Sequence, residues 1–458
     1  LIENNADLIR THKPIGWFGI VRLGLVQAAL GAIVVLATST MNRVMVVELA
    51  LPAIVPGALV ALHYMIQVLR PRLGYGSDRG GRRTPWIIGG MAVLSLGGIS
   101  AACATALMAH NRILGLALAL VSFMVIGVGV GASGTSLLVL LAKQVDGKRR
   151  AAAASIVWVM MIAGFAVTAG VAGHFLEPFS MERLIRVTSS VAAAAFLISV
   201  VAVWRVEGVA PAMDFRPAVA KPVAEVRFME ALTDVWREPR ARRFAVFVFV
   251  SMLGYSAQEL ILEPFAGVVL NLTPGASAQL TGMQHAGALV GMIVVALAGS
   301  LGNGRFGSMR TWTIAGCFGS AAGLIVLALA GFVGPAWPLG PSVFFLGAAN
   351  GAFAVSAIGS MMGLAGDGKE SREGRRMGLW GAAQAVAFAL GGLVATIASD
   401  LARYALGSPG AAYATVFLGE AVLFLFAARL AAGVFQPRAV DRDEARLPAA
   451  AMVAGQGV

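Results

Sequence analysis

Apolar residues run along this chain in blocks of roughly 20 or more, separated by short polar turns. A helix rises about 1.5 Å per residue, so a block of roughly 20 apolar residues crosses a hydrocarbon layer of about 30 Å. Twelve blocks meet that length, at 17–40, 51–70, 86–109, 113–142, 151–176, 185–205, 243–266, 278–301, 309–333, 339–365, 377–400 and 411–434. One polar connection is long, 206–242, and it carries Pro211, Pro217, Pro222 and Pro239. It divides the blocks six and six. The pattern predicts an all-α membrane protein of twelve transmembrane helices in two six-helix bundles, 17–205 and 243–434. The flanking pieces are an N-terminal segment 1–16, the linker 206–242 and a polar, then Ala-rich tail 435–458.

Composition agrees with the blocks. Residues are 58% hydrophobic and 13% charged, against about 25% charged in soluble domains. The first block is long enough to read as a full span rather than a cleavable leader. The two cysteines, Cys103 and Cys317, both lie in apolar blocks, so no disulfide framework is expected. The net charge of +12 is not read as a nucleic-acid surface, because its position follows membrane topology. If both termini, the linker and the loops after even-numbered spans share one side, that side holds 29 of the 35 Lys and Arg residues. The other side holds Arg43, Arg112, Arg183, Arg186 and Arg403, while Arg22 lies inside the first span. Basic loops resist translocation, so both termini are predicted to be cytoplasmic.

The halves repeat each other. An offset of 222 lays Met41–Pro52 over Glu263–Pro274, His63 over His285 and Trp158 over Trp380. An offset of 221 lays Asp146-Gly147-Lys148 over Asp367-Gly368-Lys369. The agreement predicts a parallel duplication about an axis along the membrane normal.

Between the second and third blocks stands Gly74-x-x-x-Asp78-Arg79-x-Gly81-Arg82-Arg83. This resembles the loop that marks the major facilitator superfamily, and the second-half counterpart around Asn303 is degraded. A narrower resemblance lies in Gln258-Glu259-Leu260-Ile261-Leu262-Glu263-Pro264-Phe265-Ala266-Gly267, with Leu62-His63, Arg70–Gly74 and Arg83–Trp86. These stretches are similar to the PucC/LhaA family, the bacteriochlorophyll delivery branch of that superfamily. Glu259 and Phe265-Ala266 depart from the family's usual acid and Tyr-Gly. The resemblance implies a light-harvesting complex assembly factor in the intracytoplasmic photosynthetic membrane of a purple bacterium. It implies bacteriochlorophyll as the pigment handled, with carotenoid as a second candidate. The implied partners are antenna polypeptides, with the reaction centre, pigment-synthesis enzymes and membrane lipid as further candidates. A secondary, proton-coupled transporter of a small solute is the alternative.

Charged groups inside spans cost about 2.5–3.5 kcal/mol at the centre on insertion scales, so each asks for a reason. Glu259 and Glu263 are four apart, on one helical face, and Pro264 removes a backbone donor beside them. With Gln258 they fit either a polar substrate-binding cluster at the mouth of a central cavity or an interface cap. His63 with Gln67, His285 and His174 are candidate bacteriochlorophyll ligands, since a neutral imidazole can donate a lone pair to a tetrapyrrole metal. A hydrogen bond to a neighbouring helix fits each of them as well. Asn42, Arg43 and Glu48 fall just after the first block. No nucleotide-binding Gly-x-x-x-x-Gly-Lys-Ser/Thr loop, zinc-spaced Cys/His set or nucleophile triad is present in the sequence, so no enzymatic role and no metal beyond pigment magnesium are expected.

Overall fold

The computed structural model describes residues 15–67, 82–146, 149–207, 236–301, 307–366 and 373–434. Gly74, Asp78, Arg79 and Gly81 of the glycine-rich loop lie outside the described residues, as do most of the linker and the tail.

Among the described residues, twelve helices follow the twelve blocks. They are α1 (Trp17–Glu48), α2 (Ile54–Ile66), α3 (Thr84–Met108), α4 (Arg112–Gln144), α5 (Arg150–Phe175) and α6 (Met181–Val203). The second half adds α7 (Pro239–Leu270), α8 (Pro274–Leu301), α9 (Met309–Val333), α10 (Leu339–Gly366), α11 (Glu373–Leu406) and α12 (Pro409–Val434). Eleven are long and apolar enough to cross a membrane, and α2 is a shorter apolar helix within the described residues. The protein is a multi-pass membrane protein. The turns obey local chemistry. Asn111, Ser180 and Ser308 accept a backbone N–H from the first turns of α4, α6 and α9. Asn271, in the left-handed region at φ 54°, ends α7.

The contact scheme of the first half returns in the second with every helix number raised by six. In the first, α1 packs on α5 and α6, α3 on α4 and α6, and α2 on α4. In the second, α7 packs on α11 and α12, α9 on α10 and α12, and α8 on α10. The halves meet along two seams, α5 on α8 and α2 on α11, which the same shift interchanges. At the first seam the backbones nearly touch: a Cβ on Gly173 would stand 2.6 Å from the Gly275 carbonyl oxygen. Cys103 and Cys317 are both free thiols.

Helix α1 departs from the hydropathy reading. The apolar block ends near residue 40, yet the helix continues to Glu48 through two π-helical turns, Leu36–Thr40 and Val44–Glu48. Asn42 and Arg43 are therefore helical, and each is at least 98% buried. The Asn42 amide N–H and two of the Arg43 nitrogens donate to the other half.

Candidate functional site

The end of α1 meets α7 and α8, and it is here that Gln258–Gly267 is used. Pro264 lacks an N–H, so the Leu260 carbonyl four residues back loses its helical partner. Asn42 Nδ2 donates to that carbonyl at 2.6 Å across the seam between the halves. Next to it, Glu263 is 1% exposed. Its Oε1 accepts from the Ser39 hydroxyl on α1 and the Thr281 hydroxyl on α8, both at 2.6 Å. Its Oε2 is buried with no hydrogen-bond partner. Arg43 then donates through Nη2 to the Leu272 carbonyl at 2.6 Å and through Nε to Ser277 Oγ at 3.3 Å. Its Nη1 meets Glu48 Oε1 at 2.6 Å, a carboxylate one-third exposed. Gly267 leaves the room for this guanidinium: a Cβ there would sit 3.0 Å from Nη2. The arrangement bonds one half to the other through charge-assisted and buried hydrogen bonds. Glu263 thus sits inside the protein, away from a water interface.

Glu259, one turn earlier, does something else. It is half-buried, and Tyr255, four residues earlier on the same face of α7, is its interacting neighbour. The rings of Tyr255 on α7 and Tyr64 on α2 lie 6.0 and 5.5 Å from Phe388 on α11. A carboxyl, a phenol and an aromatic cluster therefore meet where three helices from both halves converge. Gln258 points elsewhere: it is fully buried, and neither its Nε2 nor its Oε1 finds a hydrogen-bond partner.

The candidate histidines divide by access. His63 is 1% exposed, and Gln67 Nε2 lies 3.0 Å from its Nε2, the amide donating to the ring lone pair. That contact engages one of the two ring nitrogens. His285 is 5% exposed, its ring 4.9 Å from Phe165 of α5, and its Nδ1 is buried without a partner. His174 is exposed at the end of α5, its ring 5.6 Å from Phe175. The structure joins Glu263 to α1 and α8 and Glu259 to Tyr255. It does not bring the three histidines into one site.

Three carboxylates that sequence reasoning left without a role close helix ends. Asp400 of α11 accepts from Ala53 N at 3.0 Å and Ile54 N at 2.9 Å, at the start of α2. Glu177, just past α5, accepts from Gly275 N at 3.0 Å, at the start of α8. These two are related by the six-helix shift, so each seam carries one acid-to-helix-start fastening. Glu207, just past α6, accepts from Arg83 N, Thr84 N and Thr84 Oγ1 at 2.6–2.9 Å and closes the start of α3. Their only sequence signal is position. Glu177 and Asp400 differ by 223, against a repeat offset of 222.

A family model described as PUCC protein matches residues 40–439. A Rhodobacter capsulatus protein described as "Bacteriochlorophyll synthase 44.5 kDa chain" is 50% identical over 431 residues, which is 93% of this chain and 98% of the relative. "Protein PucC" of Cereibacter sphaeroides is 29% identical over 427 residues, 89% of each chain. Among solved structures, the nucleoside transporter NupG aligns with a TM-score of 0.66 at 13% identity, covering 91% of this chain and 100% of that one. A D-xylose-proton symporter aligns at 0.64 and 14% identity, covering 88% and 96%. At such identities the likeness is one of fold, the major facilitator fold.

Proposed function

The chain belongs to the PUCC protein family, and from that membership we propose that it is an assembly factor for light-harvesting complexes. In this reading it sits in the photosynthetic inner membrane of a purple bacterium, with both termini cytoplasmic. It binds antenna polypeptides beside it and holds or hands over bacteriochlorophyll. The observation that carries the reading is the family match over nearly the whole chain, in which the Gln258–Gly267 segment forms the bonded junction of the halves. A junction of this kind suits a scaffold whose two halves keep one arrangement while partners dock outside.

The candidate pigment ligands differ in fit. A pigment magnesium needs an open imidazole lone pair and apolar room for the ring. His174 offers an exposed ring. His63 and His285 are enclosed, and their helices would have to part first. Bound pigment would supply light absorption, and the chain's part is to position and shelter it. We propose no catalytic step, although the printed name of one relative includes a synthase. Deleting the gene from its phototrophic host tests the reading. Antenna absorbance is expected to fall while antenna messenger levels hold, and unchanged antenna content would overturn it.

A second reading, a proton-coupled transporter, draws on the Tyr255–Glu259 pair beside Tyr64 and Phe388. Glu259→Gln would abolish coupled uptake of a solute. Uptake unchanged by that substitution removes Glu259 from coupling.

A further inference from the structure

By the sequence assignment, the side that receives the loops after odd-numbered spans is poor in cations, with five Lys or Arg residues against 29 on the other. Three of the five are held by backbone or side-chain acceptors. Arg43 is locked in the seam, Arg112 Nη2 reaches the Leu49 carbonyl, and Arg183 Nη1 donates to the Pro178 carbonyl at 2.7 Å. The Arg186 guanidinium is exposed and makes no hydrogen bond or ion pair among the described residues. Arg183 and Arg186 are three apart on α6, so they share a face.

That face opens on a lateral groove of about 1070 Å³ between α1, α5 and α6. Its deeper walls carry small apolar residues, Ala29, Ala32 and Ala195 among them. Its flanks include Val167 and Phe175, 63% and 62% exposed, so it faces outward rather than into the bundle. Its charged side chains gather at one end, where Glu177, Arg183 and Arg186 stand with His174, and Thr168 and Ser190 are its hydroxyl-bearing lining residues. Glu177 is already engaged by Gly275 N. A groove with a long apolar floor and a cationic rim matches an amphiphile with flexible chains and an anionic head. The volume exceeds the roughly 300–1,000 Å³ of ordinary ligand pockets.

We propose that this groove is a binding site for one anionic phospholipid, its phosphate on Arg183 and Arg186 and its acyl chains along α1, α5 and α6. The site explains two arginines on a side where basic residues are otherwise avoided. Smooth walls of Ala, Gly and Val suit bending chains, whereas a rigid macrocycle would ask for partners for its ring carbonyls. This inference stands apart from the assembly role and does not depend on it.

The test uses the full-length protein in nanodiscs of phosphatidylcholine containing spin-labelled phosphatidylglycerol, with delipidated protein examined by native mass spectrometry. Wild type is expected to immobilise the labelled lipid and to keep one phosphatidylglycerol. Removing both arginines (Arg183→Ala with Arg186→Ala) is expected to weaken binding roughly 25-fold, from about 1 kcal/mol per basic residue. Ala194→Trp, which fills the groove from an exposed position, should release the lipid without touching a charge. Leu197→Trp, exposed on α6 but outside the groove lining, should leave it bound. Equal retention of phosphatidylcholine, retention unaffected by these variants, or a near-infrared pigment in place of the lipid would each overturn the proposal.

Discussion

Replacing Asn42 by Leu isolates the bond between the halves. Asn42 is 1% exposed and donates at 2.6 Å to the Leu260 carbonyl, itself in a residue 3% exposed. Without the donor that carbonyl is cut off from water, at a cost of about 1–3 kcal/mol. The Asn42 Oδ1 is already unpaired, so losing it brings no further penalty and draws the expected cost toward the lower part of that range. The carbonyl is open only because residue 264 is proline. Pro264→Ala supplies an N–H four residues on, able to close the helical bond to Leu260. In the Pro264→Ala background, Asn42→Leu should therefore cost about 0.5 kcal/mol or less, a coupling of about 1–2 kcal/mol. Denaturant unfolding in mixed micelles, followed by tryptophan fluorescence, reads all four corners of the cycle. Equal cost of Asn42→Leu in both backgrounds would refute the pairing of Pro264 with Asn42.

Glu263→Gln keeps an oxygen for Ser39 and Thr281 and should stay within about 1 kcal/mol of wild type, whereas Glu263→Leu leaves the two hydroxyls only each other, 3.1 Å apart, and should cost about 1–3 kcal/mol in the same assay. Arg43→Met should cost about 1–3 kcal/mol through the lost bonds to the buried Ser277 hydroxyl and the part-buried Leu272 carbonyl, and Glu48→Gln far less, because Glu48 remains in reach of solvent. Asp400→Ala should speed hydrogen exchange at the start of α2 by about fivefold, the loss of a cap worth about 1 kcal/mol. Glu177→Ala, with one N–H at stake instead of two, should do less at the start of α8. Gly173→Val should force α5 from α8 and lower the melting temperature, since even a Cβ meets the Gly275 carbonyl.

Much of the fold was legible because hydropathy and helix length are the same quantity in a membrane. The block at 411–434 becomes Pro409–Val434, and that at 113–142 becomes Arg112–Gln144. The reading failed where polar residues are buried in protein. Asn42 and Arg43 fall just beyond the apolar block that ends near residue 40, yet α1 continues through them to Glu48 and brings them into contact with α7 and α8. The repeat contained a clue to this. Met41–Pro52 and Glu263–Pro274 are equivalent segments, and in the fold they touch across the pseudo-axis. A sequence offset says that two segments are alike, and only packing says that they meet. Pro264 was legible as a source of a freed carbonyl, but its partner was not, because Asn42 lies 222 residues earlier. The pairing of His63 with Gln67 was legible from their spacing, while the enclosure of His285 against Phe165 depends on a seam between halves.

The central claim is that this chain holds pigment and antenna polypeptides while complexes are built. Its most direct test is the absorption spectrum and subunit content of the full-length protein, purified in mild detergent from a pigment-making host. A near-infrared bacteriochlorophyll band and co-purifying antenna polypeptides are expected. A preparation free of both pigment and antenna subunits would contradict it.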